Sequence, residues 1–158
     1  MGLSFYPISF VSFSKTLMRN IVSKTDIALI QLRTAVQLYN RGNFICSLTL
    51  AGAAEEVLGQ IAKRETGQNA LIDQKVWLDQ IADYFKKSRP SLNKVSVARN
   101  KVKNEAKHNN SGFDSTLELD FKFDAEEFII ASIRNYELIK GHMPKDRIIR
   151  SFWKSISM

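Results

Sequence analysis

The chain predicts an all-α protein, an up-and-down bundle of four or five helices, on three observations. Apolar residues recur at spacings of three and four in successive stretches, as one face of a helix requires. Helix-stopping residues fall between those stretches rather than inside them. With seven glycines and three prolines in 158 residues, the chain also carries little of the punctuation that many short strands would need. Its 44% hydrophobic and 25% charged content is that of a globular protein, and its length suits one domain with one core.

The first helix is expected from about Thr25 to Tyr39, where Ala28, Leu32, Ala35 and Tyr39 share a face. "NRGN" interrupts it at Gly42. The second runs from Phe44 to about Arg64 and aligns Leu50, Ala54, Val57 and Ile61, with Gly67 past its end. The third, about Leu71 to Lys87, is expected to bury Leu71, Leu78, Ile81 and Phe85, with Trp77 on its flank. Pro90 stops it, because proline has no amide hydrogen and disfavours a helical residue before it. A fourth helix begins among Ser91 to Asn93, which offer N-caps, carries Val95, Ala98, Val102 and Ala106, and ends at "NNSG".

In "FDSTLELDFKFD", Leu117, Leu119, Phe121 and Phe123 alternate with polar and charged residues. That is strand periodicity, but a lone strand has no partner, so an extended segment lying on the bundle is expected. The fifth helix opens on the capping box "DAEE", in which Asp124 caps and Glu127 answers, and runs from there to Lys140. Gly141 and Pro144 close it. A last basic piece, "KDRIIRSFWKSISM", places Ile149, Phe152, Trp153 and Ile156 on one side.

Residues 1–20 read as an apolar appendage, and residues 21–158 as one helical domain. The first seventeen residues lack the basic start and small-residue cleavage site of a signal peptide, and their apolar run is too short to span a bilayer. Tyr6 stands where an N-myristoylation signal needs Ser or Thr, and Met18 would also open a plausible chain. The one cysteine, Cys46, has no internal partner and falls in an apolar pattern. A buried free thiol in a reducing compartment follows, which points to the cytoplasm and to no membrane.

The net charge of +7 is concentrated. From Lys86 to His108, eight basic residues stand against Glu105 alone, so this segment carries the whole excess. Such a field suits a polyanion, nucleic acid foremost, and equally a solvated helix face. There is no glycine-rich phosphate loop. One cysteine and two histidines do not make the usual zinc site. "EAKH" has the Glu-x-x-His form used in di-iron bundles, but Ile139 stands at the matching position before His142, so the second motif is missing. No metal and no cofactor are expected.

The remaining chemistry gathers in "VARNKVKNEAKHNNSG". A helix stacks Asn100, Asn104 and His108 one turn apart, with Arg99, Lys101, Lys103 and Lys107 around them. A histidine in a last turn feels the negative end of the helix dipole, and its ordinary titration range makes both protonation states accessible near neutrality. The cations suit a phosphate, and an amide at Asn104 suits the imidazole or a ribose hydroxyl. These are parts for transphosphorylation of RNA, in which a base activates the 2′-hydroxyl.

"KNEAKH" resembles the Arg-Asn-x-x-x-His signature of the HEPN superfamily, helical bundles that include RNA-cleaving toxins and defence factors. "LYNRGNFICSLTLAGAAEEVLG" is similar to the helix-turn-helix that opens HEPN domains, and it sets Glu55 in the family's acidic position. The resemblance spans about Thr25 to Lys140. It implies His108 as acid/base, Lys103 as the phosphate contact and Asn104 as a positioning group. Arg99, Asn100, Lys101 and Lys107 would contact substrate, and Glu55 would support them from behind. A half-buried Glu55 needs a cationic partner, which Lys103 or Arg99 can supply. Lys103 stands where the family has arginine; it keeps the charge but lacks the planar fork that grips a phosphate at two points.

The resemblance further implies a homodimer that joins two motif helices in one cleft. It also implies a metal-independent endoribonuclease acting on RNA, in defence or beside an antitoxin. The Lys103 exchange leaves a second reading open, a non-catalytic HEPN-like module that binds nucleotide, RNA or a protein partner.

Overall fold

The computed structural model describes residues 21–107 and 120–157, with the backbone alone described at 106 and 107. Six helices account for most of them: α1 (Lys24–Asn40), α2 (Phe44–Thr66), α3 (Ala70–Tyr84), α4 (Leu92–Lys107), α5 (Phe121–Lys140) and α6 (Arg147–Ile156). Among the described residues there is no strand. The expected all-α bundle is what forms.

Each helix start is a side chain that accepts an otherwise unpaired amide of the first turn. Ser23 accepts from Asp26 N at 3.0 Å, Asn43 from Cys46 N at 3.3 Å and Asn69 from Ile72 N at 3.0 Å. Ser91 accepts from Lys94 N at 3.3 Å, within the expected capping run. Gly67 and Gly141 end α2 and α5 in the left-handed conformation, φ 75° and 72°, which a residue without Cβ adopts freely.

The core lies where α1, α2 and α5 meet, and α6 closes it against α1. Leu32 and Val36, Leu48 and Leu58, Phe128, Ile129 and Ile133, and Ile149 and Phe152 interlock there, each almost wholly removed from water. Alanines on α1, α2 and α5 let the backbones approach, and Ser47 Oγ donates across to the Ala35 carbonyl at 2.8 Å. Ser132 Oγ likewise reaches the Ala51 carbonyl at 3.2 Å. Tyr39 ties α1 to α5 by donating to Glu126 Oε2, and its ring meets Phe152 edge-on at 5.3 Å. Burial, then the Glu126 carboxylate, pushes that phenol up to about 12.

Several expectations are corrected. Helix α5 begins at Phe121, capped by Asp120, whose side chain accepts from Phe123 N at 3.0 Å; the box at Asp124 is not its start. Phe121 and Phe123 are therefore helical, not extended. Phe121 continues the inward row of Ala125, Phe128 and Ile129, whereas Phe123 points outward at 58% exposure. Helix α3 ends at Tyr84, and Phe85, expected in the core, is 63% exposed. The buried residues of α3 are Ala70 and Ala82, because it lies at the margin and turns its Val76, Trp77 and Tyr84 flank outward.

Ala98 of α4 is exposed, since that helix turns Arg99 and Lys103 inward instead. Cys46 is exposed as well, because the buried face of α2 runs through Ser47, Leu48 and Ala51. The rest of the connection, 108–119, and the appendage, 1–20, lie outside the described residues.

Among the described residues α2 alone is long and apolar enough to cross a bilayer by length and composition. Its Leu48, Ala51, Ala54 and Leu58 are spent in the core, and it turns Glu55 toward α4.

Candidate functional site

The site grows from Glu55, which α2 carries on the edge of its core-facing side. Its side chain is 10% exposed, and two cations of α4 converge on it. Arg99 Nη2 stands 3.6 Å from Oε1 and Lys103 Nζ 3.8 Å from Oε2. These four-residue-spaced side chains leave one face of α4 together, so one carboxylate meets both. Lys103 Nζ also lies 3.3 Å from Glu56 Oε2, and Arg99 Nη1 donates to Gln74 Oε1 at 3.4 Å. The Phe128 ring sits under both cations, 5.2 Å from Arg99 Cζ and 5.8 Å from Lys103 Nζ.

The surroundings hold this cluster in place. Lys103 lays its stem on Gly52, where an added Cβ would come within 3.2 Å of Lys103 Cδ. Asn135, fully buried, accepts from Ala70 N at 2.7 Å and donates to the Glu55 carbonyl at 3.4 Å. It can approach because Gly59 faces it; a Cβ there would stand 3.1 Å from Asn135 Nδ2. Asn69 donates to the Gly59 carbonyl at 3.3 Å, which fixes the start of α3 against α2.

A cleft of about 370 Å³ opens over the cluster, between α2, the start of α3 and α4. Glu55, Arg99, Asn100, Lys103 and Asn104, all expected at the site, line it together. Asn100 Nδ2 also donates to Ser96 Oγ at 3.1 Å, and Asn104 is exposed. Lys101 is not in the cleft: it is 69% exposed on the outer face and pairs with Glu105 at 3.7 Å. His108 and the Lys107 side chain lie outside the described residues.

Sequence reading put a cation beside Glu55, and the structure supplies two. It missed Gln60, Lys63 and Asn69, which also line the cleft, and Asn135 and Phe128, which support it. An amide in the mostly apolar inward row of α5 was the available signal for Asn135.

Chemically, the cleft offers amides at Asn100 and Asn104, and three cations, Lys63, Arg99 and Lys103, against the carboxylates Glu55 and Glu56. Arg99 and Lys103 are held inward by those carboxylates, while Lys63 is exposed and has no acidic partner among the described residues. Among the described residues no three His, Cys, Asp or Glu side chains are grouped to hold a metal ion. No family model, no curated protein and no solved structure matches the chain.

Proposed function

We propose that the chain is a HEPN-like domain acting on RNA as a metal-independent endoribonuclease, with its cleft between α2 and α4. The observation that carries this reading is the convergence of Arg99 and Lys103 on Glu55 beneath a cleft that also presents Asn100 and Asn104. That is the acidic helix and the motif helix brought together in one place. His108 follows α4 directly in the sequence. In the reaction, one imidazole takes the 2′-hydroxyl proton as the oxygen attacks phosphorus. The 5′-oxygen leaves with a proton from a second acid, giving a 2′,3′-cyclic phosphate and a 5′-hydroxyl end. A homodimer would supply both imidazoles. Asn104 positions the reacting groups, and Arg99, Lys103 and Lys63 offset phosphate charge. The same reading places the protein in the cytoplasm, as a defence factor or beside an antitoxin.

The second reading, a non-catalytic module, has its own support in Lys103. Its side chain is 6% exposed and its ammonium is held by Glu55 and Glu56, so it has little charge left for a phosphate. One experiment separates the two. Purified protein is incubated with synthetic RNA in EDTA, beside His108→Ala. The enzyme reading expects cyclic-phosphate products from the wild type and none from the variant. Equal cleavage by both, or cleavage by neither, removes it. Salt-sensitive RNA binding without turnover then leaves the binding module.

A further inference from the structure

A second charged feature lies apart from the α2–α4 cleft. Seven residues between Met143 and Lys154, Asp146 not among them, line a groove of about 690 Å³, and it shares no residue with that cleft. Its charged lining is Lys145, Arg147, Arg150 and Lys154, with no carboxylate among the lining residues. The 3- and 4-residue spacing of Arg147, Arg150 and Lys154 sets them on one face of α6. None of the four is paired with a carboxylate among the described residues.

The adjacent acid, Asp146, is occupied elsewhere. Its Oδ1 accepts from Ile148 N at 2.8 Å and Ile149 N at 3.2 Å as the cap of α6, and its Oδ2 meets Arg33 at 3.4 Å. Among the described residues, then, the groove's positive charge is uncompensated. Trp153, half-buried, adds an aromatic surface to the same lining.

We infer that this groove is a second contact for a single-stranded polyphosphate backbone, RNA in particular. Cations in a row neutralise successive phosphates, and an indole beside them offers a face on which a base stacks. A basic amphipathic helix is also a form that lies on anionic lipid. That occupant is disfavoured because the apolar side of α6 is already committed: Ile149 and Phe152 are buried in the core, and Ile148, Trp153 and Ile156 pack against it, Trp153 also lining the groove. The choice of RNA over another polyanion rests on the proposed function, whereas the charge and the indole stand without it. The contact would hold a strand that extends beyond the cleft.

The test measures binding of a fluorescein-labelled 20-nucleotide 2′-O-methyl oligouridylate, which lacks the attacking hydroxyl, by anisotropy across a salt series. It compares the full chain with Arg147→Ala/Arg150→Ala/Lys154→Ala and with Trp153→Leu. The three basic positions are exposed, and circular dichroism checks that the variants keep their helices. With three phosphate contacts removed, the slope of log K against log salt should fall by about 2, at ~0.7 per single-strand contact. Trp153→Leu should weaken binding about 5- to 150-fold, in line with ~1–3 kcal/mol for a base stacked on an aromatic ring. In a Trp77→Phe background, indole emission should respond to the RNA and not to vesicles of anionic phospholipid. An unchanged slope in the triple variant, or a response to vesicles alone, overturns the inference. Cleavage by the wild type is followed separately as cyclic-phosphate product in EDTA, so failure of the proposed function and loss of this contact are read apart.

Discussion

Glu55 is the residue on which the cleft depends, because it keeps two cations from being buried alone. Removing one partner of a buried pair leaves an uncompensated charge and costs about 3–5 kcal/mol, whereas a change that leaves no buried charge without a partner costs far less. The two ends of this cluster should therefore differ. Glu55→Ala strands Arg99 and leaves Lys103 only Glu56, and should cost about 3 kcal/mol or more. Lys103→Met keeps the stem against Gly52 and leaves Glu55 paired with Arg99, and should cost about 1 kcal/mol or less. Urea unfolding of the two variants, with unchanged m, reads the difference. Equal losses would mean that the carboxylate does not organise the cluster.

Helix α2 shows why small residues sit where they do. Its two glycines face different neighbours: Gly52 meets the flexible stem of Lys103, and Gly59 meets the amide of Asn135. Asn135 is fully buried and committed to Ala70 N and the Glu55 carbonyl, so it cannot move aside. Overpacking at Gly59→Ala should cost about 1–3 kcal/mol, which the roughly 1 kcal/mol that alanine gains in a helix reduces to a net loss of about 0–2 kcal/mol. Gly52→Ala should change stability by no more than about 1 kcal/mol, since a lysine stem shifts more cheaply and the same propensity gain applies. Thermal unfolding should rank Gly59→Ala clearly below Gly52→Ala. The reverse order would mean that Asn135 is free to relax.

Across the whole molecule, packing is densest between α2 and its neighbours α1 and α5, while α3 and α4 lie outside that core. The buried side chains of α3 are two alanines, and the described part of α4 buries Val95 and the stem of Lys103. Elements with few buried apolar contacts open at lower free energy than the molecule unfolds. Amide hydrogen exchange should accordingly release α3 and α4 before α2 and α5. The cleft then has one firm wall, α2, and one wall that opens, α4. Uniform protection across all six helices would contradict this division.

Much of this architecture was legible in the chain. The 3- and 4-residue apolar spacing, the capping side chains and the glycines after α2 and α5 are local, so helices α1, α2 and α6 lie close to where periodicity places them. Glu55 was legible too, because a carboxylate at the edge of an apolar face demands a cation. The start of α5 was not: residues 117–123 have period 2, and only packing of Phe121 with Ala125 and Phe128 draws that stretch into the helix. Phe85 and Cys46 show the same limit, since periodicity marks an apolar position without saying whether another helix covers it. Sequence alone determined the helices, their caps and the concentration of charge, all of which arise within a few neighbouring residues. Tertiary structure decided that α4 turns Arg99 and Lys103 inward against Ala98, because only the approach of α2 supplies the carboxylate that makes burying those cations tolerable.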